Sequence, residues 1–281
     1  MKKILSLMFA LFMLFPSIAM ADSFPKKVCA DVTPSVQNDV LLVDGDPKLS
    51  VWTPKDYNPE KKYNIFMFLQ GSEENLNWME VTAGTHCGIL IGDIYNSIDA
   101  DFIVAGIQCG TDFDEITGRI LYALSYVADH YNTYAASGSI KDFERAREHI
   151  IIGGISNGGR VATYFVTHYN NLVANAIIMS PTISITPDEG FNLKHLIVCV
   201  GTDDSTLCKP AAKESYAKLS PYAEKAYFSL YDGRHQWQYW NKQIELALNF
   251  VFDLGEFAET DFYKEEFNKV MDEFIISLMA S

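Results

Sequence analysis

Six segments of this chain share one cadence, and that cadence limits the fold more than any other feature. "YNIFMFLQG", "DFIVAGIQCG", "HIIIGG", "ANAIIMSP", "HLIVCVGTDD" and "AYFSLYDG" each carry apolar residues and close on glycine, proline or a turn-forming residue. Five of the six are continuous apolar runs. Such runs suit strands covered on both faces, as in a parallel sheet, because a half-wet strand alternates apolar with polar instead. Helical patterns lie between them, at 116–131, 157–168, 211–225 and 237–254. Alternating strand and helix predicts an α/β fold with a mostly parallel central sheet and helices on both faces. An earlier segment, "KLSVWTPKDY", alternates like a strand, and the final "TDFYKEEFNKVMDEFIISLMA" reads as a terminal amphipathic helix.

The first 21 residues have a different character. Two lysines precede an apolar run from Ile4, and Ala19-Met20-Ala21 offers small residues at both recognition positions of a signal-peptide cleavage site. Pro16 and Ser17 interrupt the run, which argues against a retained membrane anchor, and no cysteine follows the cut. The expectation is a signal peptide over 1–21, a single domain over 22–281, and export to the periplasm or beyond.

Removing that segment takes two lysines and no acid, so the net charge moves from −14 to −16. A chain this acidic repels polyanions, so neither nucleic acid nor an anionic bilayer is an expected partner, the interrupted run argues against stable membrane insertion, and a neutral or cationic small molecule fits more easily. The five cysteines all fall in the exported part, where disulfides persist. A bridge between Cys199 and Cys208 would brace the short loop they bracket. No Cys/His spacing matches a zinc site.

In an open α/β sheet, chemistry gathers at the carboxyl ends of the strands. There the sequence reads Gly154-Ile155-Ser156-Asn157-Gly158, a serine between glycines at a strand-to-helix junction. This is the pattern of a nucleophile elbow, a strained turn that presents a serine hydroxyl. A nucleotide-binding turn would instead want GxGxxG after the first strand with an acidic residue further on, and neither is evident.

A serine hydroxyl needs a base to take its proton, and the base needs an acid to hold its tautomer. The chain order for this architecture is serine, acid, histidine. Of the histidines that follow Ser156, His168 lies three turns down the next helix and His195 starts a strand at its far end, which leaves His235. The acid is expected after the preceding strand, where Asp203 and Asp204 are both within reach; Asp188 and Glu189 lie further off. An oxyanion hole needs preplaced donors. The amide after the nucleophile and one from the loop "LQGSEEN" nominate the backbone N–H groups of Asn157 and Ser72. Trp78, Phe113, Trp237 and Tyr239 could line an apolar pocket or serve as packing.

The segments "VWTPKDYNPEKKYNIFMFLQG", "GISNGG", "GTDD" and "GRHQW", in that order, resemble the secreted esterase group of the α/β-hydrolase fold. That group includes feruloyl esterases, acetyl xylan esterases and polyhydroxybutyrate depolymerases. The similarity runs from about Lys48 to Phe250. It implies a carboxylic ester hydrolase with Ser156 as nucleophile, His235 as base, and no cofactor or metal. The family pattern of Gly, Thr, any residue, Asp points to Asp204 over Asp203. One departure is Gln70-Gly71, where the group usually carries His-Gly; this bears on the conformation of the loop more than on the reaction. The expected substrate is a small-molecule or carbohydrate-linked ester. Competing expectations are a serine peptidase of the same fold and a secreted binding protein that has lost turnover.

Overall fold

The computed structural model describes residues 27–33, 36–43, 46–54, 56–72, 98–107, 109–255 and 257. The expected signal peptide, the expected terminal helix from Thr260, and Trp78 lie outside these residues. A nine-stranded sheet runs through the described chain in the order β1-β2-β3-β5-β4-β6-β7-β8-β9. Its strands are β1 (Lys27–Thr33), β2 (Val36–Val43), β3 (Asp46–Pro54), β4 (Asn64–Leu69), β5 (Phe102–Ile107), β6 (Ile150–Ile155), β7 (Asn175–Met179), β8 (Leu193–Gly201) and β9 (Ala223–Tyr231). From β5 to β9 every neighbouring pair is parallel, so these six strands, β4 among them, end at one edge. The first three strands add antiparallel at the other side.

The side-chain alternation of each strand divides the core in two. On β4, Ile65, Met67 and Leu69 face one layer, and Phe66 and Phe68 face the other. Every residue of β5 and β6 is buried, which is why both read as unbroken apolar runs. Helices α1 (Phe113–His130), α3 (Asn157–His168) and α4 (Cys208–Leu219) supply residues to the first layer, as does the short α2 (Ile140–Arg145) through Phe143. Helix α5 (Trp237–Val251) supplies Trp240, Ile244, Ala247, Leu248 and Val251 to the second. None of the helices among the described residues is long and apolar enough to cross a membrane.

Several elements differ from the sequence-based expectation, among them the end of α5, at Val251 and not 254. Helix α1 begins at Phe113, ahead of its first buried residue, because the Asp112 side chain caps it by accepting from the Glu115 amide. Helix α4 stops at Leu219 and β9 starts at Ala223; Pro221 between them has no N–H for a helical bond and restricts the residue before it. Strands β1 and β2 arise in a stretch too polar to show strand patterning, with Gln37, Asn38 and Asp39 in succession on β2. The sequence leaves the disulfide pairing open, and Cys199 and Cys208 are both free thiols. Cys199 belongs to one core layer and Cys208 to the other, so the sheet separates them.

Candidate active site

The turn from β6 into α3 is shaped by what crowds it. A side chain at Gly158 would place its Cβ 2.0 Å from the Leu69 carbonyl oxygen, and one at Gly154 would come 2.3 Å from the Gly158 carbonyl oxygen. Only a residue without Cβ fits either position. The residue between them, Ser156, is held at φ 58° and ψ −115°, a conformation that L-residues avoid. Its amide donates to the Met179 carbonyl at 3.0 Å, which ties the bend to the end of β7. Such strain persists only where surrounding packing dictates it.

The loop leaving β4 lies directly against this serine. A Cβ on Gly71 would sit 3.4 Å from Ser156 Cβ and 4.0 Å from Ser156 Oγ. Gln70 is buried, its amide bonded to the Ile107 carbonyl, and Ser72 is exposed. Asn157 begins α3 and donates from Nδ2 to the Gly110 carbonyl, while Arg160 donates to Asn157 Oδ1 and to the Thr111 carbonyl. The Arg160 guanidinium also lies over the Phe113 ring. These contacts fasten the loop after β5 to the head of the serine-bearing helix. Phe113 further stacks on Tyr164 at 4.0 Å, so its face is used in packing.

Two strands along the same edge, the loop after β8 carries Asp203 and Asp204. Their surroundings separate them. Asp203 is exposed and lies 3.9 Å from Arg234. Asp204 has a fully buried carboxylate that accepts from three donors. His235 Nδ1 is 2.9 Å and the Ser205 amide 2.6 Å from Oδ1, and Ser180 Oγ is 2.6 Å from Oδ2. Burial alone would favour the neutral acid, but the bonds from His235, Ser180 and Ser205 outweigh it and hold the carboxyl below its usual range.

His235 lies in the loop between β9 and α5, with its ring edge-on to Trp240 at 4.7 Å. Bonding Nδ1 to Asp204 leaves Nε2 as the nitrogen that can accept a proton. Burial works against the imidazolium, yet the hydrogen bond and charge of Asp204, with the nearby Cys208 thiol, push the His235 pKa up to about 9. The loops after β8 and β9 meet closely: a Cβ on Gly201 would come 2.3 Å from the Gly233 carbonyl oxygen, and the Asp203 amide donates to that same oxygen.

The other two histidines that follow Ser156 stand apart. His168 bonds to the Tyr164 carbonyl on its own helix. His195, at the amino end of β8, is buried between Asn175 and Asp253. Tyr239 packs its ring against Gly233, and the side chain of Trp237 lies outside the described residues.

Sequence reasoning did not find Ser180. It follows β7 at φ 45°, is fully buried, accepts from Trp240 Nε1 at 3.3 Å and donates to Asp204. The Tyr231 hydroxyl is buried beside this group and has no hydrogen bond of good geometry. A serine between "AIIM" and a proline carries no periodic signal, so only the fold brings it to the carboxylate.

The sheet order, the strained serine turn and the acid–histidine pair at one edge define an α/β-hydrolase fold. Solved structures of feruloyl esterases and of other serine hydrolases share that fold. A feruloyl esterase module from Clostridium thermocellum, complexed with sinapinate, superimposes with a TM-score of 0.63 at 20% identity, covering 85% of this chain and 98% of that one. A ferulic acid esterase from Anaeromyces mucronatus gives 0.51 at 17% identity, covering 83% and 92%. An S-formylglutathione hydrolase from Staphylococcus aureus gives 0.53 at 15%, covering 81% and 98%. In sequence, the chain is 30% identical over 153 residues to endo-1,4-beta-xylanase Y of Acetivibrio thermocellus; the match spans 52% of this chain and 14% of that much longer protein. No family model matches the sequence.

Proposed function

We propose that this chain is a serine esterase that hydrolyses a carboxylic ester through an acyl-enzyme. The observation that carries the reading is the presence of a strained Ser156 on the same sheet edge as a buried Asp204 bonded to His235. A binding protein has no physical need to hold a serine at positive φ and an imidazole against a buried carboxylate together.

In this reading Ser156 Oγ attacks the acyl carbon as its proton passes to His235 Nε2. Asp204 holds the proton on Nδ1 and stabilises the imidazolium. The oxygen that becomes negative is received by the backbone N–H groups of Ser72 and Asn157, each worth about 3 kcal/mol to the transition state. The alcohol leaves with the proton from Nε2. Water, activated by the same nitrogen, then releases the acid and restores the serine. The nearness of the Gly71 backbone to Ser156, where an added Cβ would sit 4.0 Å from Oγ, supports Ser72 in this role.

The substrate class is a small-molecule or carbohydrate-linked ester. Similarity to part of a xylanase, and to a feruloyl esterase module crystallised with sinapinate, supports an aryl ester attached to plant polysaccharide. Residues 1–21 direct export, to the periplasm or the medium. The decisive experiment measures p-nitrophenyl acetate hydrolysis by the native chain and by Ser156→Ala. Loss of turnover in a variant that still folds supports the reading; equal rates reject it.

A further inference from the structure

Cys208 opens α4, and its Sγ lies 3.9 Å from His235 Nδ1. With the Asp204 carboxylate, the three side chains present one sulfur, one nitrogen and one oxygen, all within 4.8 Å of one another. They come from three elements: the loop after β8, the head of α4 and the loop after β9. No spacing rule could have grouped them, since His235 is 27 residues from Cys208 and 31 from Asp204.

We propose that Asp204, Cys208 and His235 form a binding site for a borderline-soft divalent cation of the zinc class, and that its occupation switches ester hydrolysis off. The inference rests on the esterase reading for its effect on turnover, although the binding itself does not.

Geometry supports it first. Zinc bonds of about 2.3 Å to sulfur and about 2.0–2.2 Å to nitrogen and oxygen place tetrahedral ligand atoms roughly 3.3–3.6 Å apart. The distances of 2.9 Å from Nδ1 to Oδ1 and 3.9 Å from Nδ1 to Sγ straddle that value, and all three donors lie within 4.8 Å, so side-chain rotations that draw the sulfur and the carboxylate together would close the site. The donors are also held in advance. The Cys208 amide donates to Ser205 Oγ, the Ser205 amide donates to Asp204 Oδ1, and Ser180 holds the other carboxylate oxygen. Asp204 and Cys208 are buried and the His235 side chain is one-third exposed, so an ion would have to enter past the imidazole.

Charge and proton bookkeeping close as well. The ion meets an ionised carboxylate and a thiolate, so the occupied site is neutral. The thiol proton leaves to solvent, and the imidazole proton moves from Nδ1 to Nε2 because the metal takes the Nδ1 lone pair. That tautomer has no lone pair at Nε2, so His235 can no longer accept the serine proton. The inhibition needs no blockage of the substrate path. Mixed thiolate and imidazole donors favour zinc or cadmium over magnesium or calcium.

The test uses the native chain, Cys208→Ser and Cys208→Ala after chelator treatment. Zinc inhibition of p-nitrophenyl acetate hydrolysis is normalised to each protein's own uninhibited rate. Zinc should inhibit the native chain reversibly, with recovery on chelation, and magnesium should not. Both Cys208 variants should need about tenfold more zinc or more, since even loss of an outer-shell partner weakens metal sites that much. Binding is read independently with cobalt(II) on Ser156→Ala, where a thiolate-to-cobalt charge-transfer band should appear in the near ultraviolet. Adding Cys208→Ser to that protein should abolish it. No band with Ser156→Ala, a band that survives the loss of Cys208, or equal zinc sensitivity of all three chains would overturn the proposal. If the native chain hydrolyses no ester yet the cobalt band behaves as stated, the site stands and the esterase reading falls.

Discussion

Ser180 Oγ donates to Asp204 Oδ2 at 2.6 Å, on the opposite side of the carboxylate from the oxygen that accepts His235 Nδ1 at 2.9 Å. The carboxylate is thereby clamped in one plane, with neither oxygen free to rotate away from the imidazole. Ser180→Ala leaves a buried charged oxygen without its donor and Trp240 Nε1 without that acceptor. An unsatisfied buried group costs about 1–3 kcal/mol, to be read from the urea midpoint. A positioning role also requires kcat to fall several-fold while KM stays close to native; a change in stability alone would show this serine to be structural only.

The pH profile follows from the same pair. His235 must be neutral to accept a proton, and its pKa is raised to about 9. Hydrolysis should therefore rise with pH through neutrality and level off near that value, well above the ordinary histidine range of about 6.5. Asp204→Asn should move the limb towards the ordinary range and lower the plateau. Stability runs the other way: the raised pKa stabilises the fold below the unfolded value, and that contribution is lost as pH rises through about 9. Rate profiles and thermal melts across pH 5 to 10 check both signs.

Two glycine substitutions should differ in sign. At Gly118, exposed within α1, an added Cβ meets nothing within 4 Å, so Gly118→Ala should stabilise by about 0.5–1 kcal/mol through helix propensity. Gly158→Ala gains the same propensity but drives a Cβ to 2.0 Å from the Leu69 carbonyl oxygen, where backbone must move. Steric cost wins there, and the variant should unfold about 1–3 kcal/mol more easily or fail to accumulate. Thermal unfolding of the pair, side by side, decides it.

Ser156 bears strain that glycine does not feel. Its φ of 58° and ψ of −115° lie where a Cβ is costly, by about 1–3 kcal/mol. Ser156→Gly should therefore melt higher than Ser156→Ala, while both lose hydrolysis. Equal melting temperatures would mean that the turn stores no strain.

The core of the sheet was legible because burial on both faces removes polar residues from the strand, as β5 and β6 show along their whole length. The serine turn was legible because the crowding around Gly154 and Gly158 permits no side chain at either place. Elsewhere the chain is silent for definite reasons. Asp203 and Asp204 are the same residue type side by side, and resemblance alone favoured the second; the Asp204 amide, bonded to the Gly201 carbonyl, turns its carboxylate inward beneath Ser180. Ser180 and Cys208 reach the carboxylate and the imidazole from separate elements. Strands β1 and β2 show too little apolar patterning to be read without their partners.

The meeting of Gly201 with the Gly233 carbonyl has a consequence for how such a chain can vary. The two loops touch backbone to backbone just before each delivers its functional side chain, so neither can gain or lose a residue without displacing the other. Acid and imidazole form a single mechanical module: drift in length is confined to connections beyond it, and a graft into another scaffold would have to carry both loops together.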